Sequence, residues 1–236
     1  MAVKKPLYVK VRDTLIERLS GSVWAPGEIL PSEIALAEEL GVSQGTVRKA
    51  IDSLCAEGAL RRVQGSGTYV SEQTEELANF KFLRLTDATG NRVVPTLMRQ
   101  IASSEAADPV MAGTLALEDG ATVHVLDRIR SIGDAPALIE RITVPDAVMP
   151  GLSEEAPLPN ALYPHYQARY GVHVIRTEDM LGAISADARQ ARMLSVDEGA
   201  PLLQAERVAF DLTGRPVEHR RSQILSEGLA FRVDLS

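Results

Sequence analysis

Between residues 7 and 57, apolar side chains recur every three to four positions in three short runs, the spacing of amphipathic helices. Tyr8, Val11, Leu15, Ile16 and Leu19 predict a helix over 8–19, with Gly21 as its stop. Pro26-Gly27 signals a turn, and Trp24 beside it is expected to pack on the helices. Ser32 suits the N-cap of a second helix, whose apolar side is Ile34, Leu36, Ala37 and Leu40. Gly41 permits a tight turn before Val42. Ser43 caps a third helix over 44–57, with Val47, Ala50, Ile51, Leu54 and Cys55 as its buried stripe. The period then drops to two. Leu60 to Val63 and Thr68 to Val70 flank Gln64-Gly65-Ser66-Gly67, a hairpin with a tight glycine tip.

Two short helices about a tight turn, followed by a basic hairpin, have the order of a winged helix-turn-helix, a geometry that reads duplex DNA. The candidate DNA-binding residues are Ser32, Ser43, Gln44, Gly45, Thr46, Arg48 and Lys49, with Arg62, Gln64, Gly65, Ser66 and Gly67 in the wing. Arg and Gln suit base edges, whereas Thr and Lys suit phosphates. An isolated polar helix face would read as a solvated surface; the turn and the wing argue against that here. Arg61 and Arg62 alternate sides of one strand, so only one of them is expected to face DNA.

The C-terminal two thirds contain a weak repeat. Leu117 to Val123 (LEDGATV) resembles Val196 to Leu202 (VDEGAPL). Each is followed by an apolar strand bearing Arg128 or Arg207, a turn (Gly133 to Pro136, Thr213 to Pro216), and a second strand with Glu140 or Glu218. Helical segments precede them near 107–117 and 186–194, and a third helix over about 160–170 stops at Gly171. The expected fold class is α+β: two hairpins paired into one curved antiparallel sheet with helices.

Charge and composition add constraints. The net charge is −7, but residues 1–70 carry nine Lys and Arg against eight Asp and Glu, leaving the acidity to the rest of the chain. DNA affinity must then come from a local basic face. No apolar run approaches a membrane span, and the N-terminus lacks the apolar core of a secretory signal, so a cytoplasmic location is expected. Cys55, the single cysteine, excludes an intramolecular disulfide and reads as a buried, inert thiol. His124, His165, His173 and His219 show no metal-ligand spacing, and neither a Gly-rich phosphate loop nor a nucleophile elbow is present. No metal, cofactor or catalytic residue is expected.

Arg128 and Arg130, two apart on a strand, share a face and make a seat for a phosphate or carboxylate. Glu140 and Glu218 suit ligand hydroxyls or an amine. The alternative is an Arg–Glu ion-pair network that holds the sheet. It is weaker for Arg130, because Ala209 occupies the corresponding place in the second repeat. Tyr163-Pro164-His165-Tyr166 either lines a pocket through Tyr163 or packs a helix.

The run from Pro6 to Val70 resembles the DNA-binding domain of GntR-type bacterial transcription regulators, through PLY, PGEILPSE, LAEELGVSQGTVRKAI and GSGTYV. Gln44 stands where many relatives have arginine, which points to a different operator. Arg128-Ile129-Arg130 with Gly133 to Pro136, Ala161-Leu162-Tyr163, and Gly214 to Glu218 resemble the UTRA effector domain of the HutC subfamily. The resemblance implies a chorismate-lyase-like fold, a homodimer, and a small-molecule effector in a cleft. It also places Thr96 near the ligand. Relatives that bind amino-sugar phosphates often carry a serine and a tyrosine where Ala161 and Ile224 stand, so another ligand is expected. The expected division is a DNA-binding domain over 1–71, a linker over 72–82, and an effector-binding and dimerisation domain over 83–236. The leading reading is a transcription regulator, a repressor released from double-stranded operator DNA by a small anionic metabolite. The alternatives are a chorismate-lyase-like enzyme fused to a DNA-binding module, and an architectural DNA binder without a ligand.

Overall fold

Local signals in the N-terminal third act as the sequence suggests. The computed structural model of the protein describes residues 5–82 and 84–233; the expected boundary at residue 83 lies outside them. Helix α1, Leu7–Ser20, buries Val11, Leu15, Ile16 and Leu19. Helix α2, Glu33–Leu40, starts where the Ser32 side chain accepts the Ala35 N–H, and ends at Gly41 in the left-handed region. Helix α3, Gln44–Ala56, starts where Ser43 accepts the Thr46 N–H, and buries Val47, Ala50, Ile51 and Leu54. Cys55, expected to be buried, is only partly so, and burial still pushes its thiol above the ordinary range. The wing is β1, Leu60–Val63, antiparallel to β2, Gly67–Val70.

The chain forms two compact units, and the first is not continuous in sequence: it joins the residues up to Thr74 with Tyr163–Ile175. That second piece contains most of helix α6, Leu162–Tyr170. Within the unit, the buried Gln167 accepts the Gln73 N–H at 2.7 Å and donates to the Ser71 carbonyl at 2.7 Å. Gln73 in turn donates from its side chain to the Val174 carbonyl at 2.6 Å.

The second unit comprises Glu75–Leu162 and Arg176–Ser236. Helix α4, Glu75–Phe82, occupies most of the stretch expected as a linker. Strand β3, Leu85–Asp87, pairs with the short C-terminal strand β10, Leu229–Phe231. The main sheet has six antiparallel strands: β4 (Thr96–Ala106), β5 (Thr122–Ile132), β6 (Ala135–Pro145), β7 (Arg176–Ser185), β8 (Pro201–Phe210) and β9 (Pro216–Leu225). Their order is β4-β5-β6-β9-β8-β7. The repeat is therefore structural. Each hairpin follows a short helix, α5 (Pro109–Thr114) or α7 (Ala188–Leu194), and the two hairpins meet at β6 and β9. Each half also has an outer strand, β4 or β7, that the alternation pattern does not mark. Both edge strands are exposed along most of their length, so neither face selects apolar residues.

Helix α7 packs on Ile139 and Leu202, and α5 on Val123 and Val125. Side chains alternate along a strand, so these residues mark one face of the sheet, and the even-numbered residues of β5 and β6 mark the other. That second face carries Arg128, Arg130, Leu138 and Glu140.

Candidate DNA-reading surface and effector cleft

Alternation of buried and exposed positions along α3 leaves Gln44, Gly45, Arg48 and Lys49 exposed on the side away from Val47 and Ala50. Ser32, Gln44, Arg62 and Gln64 to Gly67 line one groove of about 550 Å³ between the start of α2 and the wing. Ser43 and Thr46 are engaged with each other, hydroxyl to hydroxyl at 2.8 Å, in the cap of α3. The Lys49 ammonium lies 4.3 Å from the centre of the Tyr8 ring. Arg61 and Arg62 diverge as expected. Arg61 stacks over Tyr69, and Arg62 reaches toward α2.

Glu33, at the start of α2, lies in the same groove. Its carboxylate accepts from Arg48 Nε at 2.9 Å, Arg62 Nη2 at 2.9 Å and Gln44 Nε2 at 3.3 Å. The Arg48 hydrogen bond, reinforced by the charges of Arg48 and Arg62, outweighs burial and holds the Glu33 carboxyl below its ordinary range. In the sequence, Glu33 reads as nothing more than a helix-start acid after Ser32.

In the second unit, Gln100, Arg128, Glu140 and Ser222 stand opposite one another on four adjacent strands. Arg128 is buried and donates to the carbonyls of Pro159, at 2.7 Å, and Asn160. Arg130 donates to the Pro95 carbonyl at 2.6 Å, and its Nη1 lies 3.6 Å from Glu140 Oε2. Arg220, absent from the sequence expectations, joins the two carboxylates: it donates to Glu140 at 3.3 Å and to Glu218 at 3.0 and 3.1 Å. Burial alone would raise the Glu140 carboxyl; the charges of Arg130, Arg220 and Arg128 outweigh it and hold it at about 2. The ion-pair alternative thus describes the carboxylates well, whereas Arg128 is held mainly by backbone carbonyls. Thr96 shares a hydrogen bond with Ser131, and Tyr163 lies in the first unit with its ring 5.9 Å from Tyr166.

Not every polar atom here is satisfied. Both amide atoms of Gln100, Nε of Arg130, Oε2 of Glu140 and Oδ1 of Asn160 are buried with no hydrogen-bond partner among the described residues. Native interiors leave few such atoms, and a concentration of them beside charged groups calls for an ordered water, an ion or a polar ligand. A small cleft of about 40 Å³ opens beside Glu140, Arg220 and Ser222. Leu85, Leu138, Ile224 and Phe231 give it an apolar side, and Arg84 and the paired Arg207 and Asp179 add charge.

The comparisons agree with this architecture. Residues 7–70 match the bacterial regulatory proteins of the gntR family, and residues 99–228 match the UTRA domain. The chain is 28% identical to the HTH-type transcriptional repressor NagR of Bacillus subtilis, over 96% of this chain and 93% of that protein. It is 30% identical to the histidine utilization repressor of Pseudomonas putida, over 86% of this chain and 81% of that one. The crystal structure of PhnF from Mycobacterium smegmatis superimposes with a TM-score of 0.57 at 28% identity, covering 96% of this chain and 99% of that one. Among the described residues no helix is long and apolar enough to cross a membrane. With a winged helix-turn-helix before a six-stranded UTRA sheet, the chain belongs to the GntR family of bacterial transcription regulators, in its HutC subfamily.

Proposed function

We propose that this regulator is a cytoplasmic repressor that binds an inverted-repeat operator as a homodimer and is released by a small anionic ligand. The observation that carries the ligand reading is the set of unsatisfied buried polar atoms on Gln100, Arg130, Glu140 and Asn160; Glu140 also lines the small cleft, where Arg84, Arg207 and Arg220 outnumber Glu140 and Asp179. The anion sits by Arg130 and Arg128; the side formed by Leu138, Ile224 and Phe231 favours a ligand with a non-polar flank over a fully hydroxylated sugar. Ala161 and Ile224 support the same choice against an amino-sugar phosphate. Repression follows the named roles of the Bacillus and Pseudomonas relatives.

Base reading is assigned to Gln44 and Arg48, with Ser32, Thr46, Lys49 and the wing residues Arg62 and Gln64 to Gly67 on the backbone. The dimer reading is supported by the edge strands. Met98 and Ile101 on β4, and Met180 and Leu181 on β7, are exposed apolar residues on strands with an unpaired backbone edge, which soluble proteins rarely leave uncovered. The lyase reading is disfavoured, because Arg220 occupies both carboxylates that would act as acid or base.

Selection from a random duplex library with the full-length protein tests the proposal. The expected product is an inverted repeat with equal half-sites, released on adding a small-molecule extract of the source cells. A single asymmetric half-site bound by a monomer overturns the dimer, and binding indifferent to every metabolite fraction overturns the switch.

A further inference from the structure

The groove that should face DNA has a carboxylate, Glu33, in its lining. Glu33 is held in place: it begins α2 directly after the Ser32 cap, where the helix N-terminus favours a negative charge, and its side chain is only 15% exposed. Its partners come from three elements, Gln44 and Arg48 on the recognition helix and Arg62 on the wing. An acid so placed opposes phosphate. It is costly for general DNA affinity, and a protein selected only to hold DNA would gain by losing it.

The contacts suggest what it does instead. Glu33 occupies the Nε and Nη2 side of the Arg48 guanidinium, at 2.9 and 2.8 Å. A guanidinium has five N–H donors in a fixed fork, so the Nη1 and Nη2 end still presents the paired donors that match guanine O6 and N7. Bound this way, Arg48 keeps its capacity to read a base while much of its charge toward phosphate is cancelled. The same carboxylate orients the Gln44 amide, the other base reader. Arg62 is discounted twice, because its Nη2 also lies 2.8 Å from Asp52 Oδ1.

We propose that Glu33 is a specificity-determining positioning residue: it aims Arg48 and Gln44 at base edges and suppresses their attraction, and that of Arg62, to any phosphate backbone. This deepens the assignment of α3 as the base-reading helix and rests on it. Discrimination is then produced partly by weakening the wrong complex.

The test uses the full-length protein, a duplex obtained by selection, and a random duplex of equal length, with binding measured by fluorescence anisotropy over a range of salt. Glu33→Gln should bind the random duplex about tenfold more tightly at low salt, with a salt slope steeper by about one per protomer. Affinity for the selected duplex should stay level or fall, so the specificity ratio drops. Glu33→Asp keeps the charge but shortens its reach; it should lose discrimination while retaining the wild-type salt slope. Wild-type ratio and slope in Glu33→Gln overturn the proposal. So does a lowered thermal midpoint with both affinities falling together, which is the signature of a purely structural carboxylate. Arg48→Ala separates the two levels. If it loses discrimination while Glu33→Gln keeps it, the role of Glu33 alone is wrong; if Arg48→Ala also keeps it, the docking of α3 has failed and the proposal falls with it.

Discussion

A Cβ added to Gly171 would lie 2.6 Å from the carbonyl oxygen of Ser20 at the end of α1. Gly171 also has φ of +65°, a left-handed backbone that side-chain-bearing residues enter at a cost. The main chain after α6 therefore meets the main chain of α1 at a point where no side chain fits. Gly171→Ala should destabilise the first unit by about 3 kcal/mol, combining roughly 1 kcal/mol of backbone strain with displacement of packed backbone. Gly41 provides the control. It has φ of +63° with nothing within 4 Å of its added Cβ, so Gly41→Ala should cost only about 1 kcal/mol. Thermal melts of the two variants check this; equal losses would show that the Ser20 contact yields freely.

Acidification should weaken the two units through different groups. The Gln167 amide accepts from Gln73 and donates to Ser71, which leaves its second N–H for His173 Nδ1 at 3.1 Å. That nitrogen must then accept, so the ring is neutral. Burial moves the same way and lowers the His173 pKa to about 4 from the ordinary 6.5. An unfolded chain takes up this proton below pH 6.5, whereas the folded one refuses it until about pH 4. Stability is thus complete above pH 6.5 and is lost as the pH falls toward 4, by about 2 kcal/mol at pH 5. Glu140 acts in the same direction but in a lower window. Its pKa of about 2 lies below the ordinary 4.5, so its contribution is complete above pH 4.5 and is lost only as the pH falls through about 2. Between pH 7 and 5 the first unit should weaken through His173 and the second through His219, whose pKa burial also lowers, while Glu140 adds no loss until lower pH, as hydrogen exchange can resolve. His173→Gln should flatten the response of the first unit, and an unchanged slope would show that another group carries it.

The helices and wing of the first unit were legible because caps and a 3.6-residue period are local signals. Ser32, Gly41 and Ser43 each act within four residues of their partner. The contacts that complete the unit are not local: Gln167 meets Gln73 across 94 positions, and no periodicity announces a single polar pair. The same limit hid Glu33, whose role depends on residues 15 and 29 positions away. The internal repeat revealed the two hairpins and the shared face of Arg128 and Arg130. The two arginines of the repeat do not serve alike: Arg207, the counterpart of Arg128, binds Asp179 and the Phe82 carbonyl, whereas Arg128 donates to the Pro159 and Asn160 carbonyls. Arg220 escaped notice because the repeat places no counterpart for it. It bridges Glu140 and Glu218 only once β6 and β9 are side by side.

Removing Glu140 should cost more than neutralising it. Glu140→Ala leaves the buried Arg130 beside an empty space, takes from Arg220 one of its two carboxylates, and should destabilise the second unit by about 3–5 kcal/mol, the usual cost of stripping a buried charge of its partner. Glu140→Gln keeps a carbonyl acceptor and the packing, and should lose less. Urea titration of the two variants decides it. Equal and small losses would mean that Arg130 is held by the Pro95 carbonyl alone.

Gln100 separates stability from response. Both of its amide atoms are buried and lack hydrogen-bond partners among the described residues, and it stands opposite Arg128 on the sheet. A buried amide left unpaired costs roughly 1–3 kcal/mol, so Gln100→Leu, similar in size and apolar, should raise the thermal stability of the unliganded protein. If the amide serves the ligand, the same change should weaken the response: about tenfold more of an inducing cell extract would be needed to release half of a selected duplex, consistent with one lost hydrogen bond of that size. Affinity for DNA without extract should be unchanged, because the substitution lies in the second unit and leaves the groove of α2, α3 and the wing intact. A variant that is stabilised and fully responsive would make the Gln100 amide a packing defect rather than a ligand contact. A variant that is destabilised would show that the amide is satisfied by ordered water in solution. Only a gain in stability together with a loss of response supports the assignment.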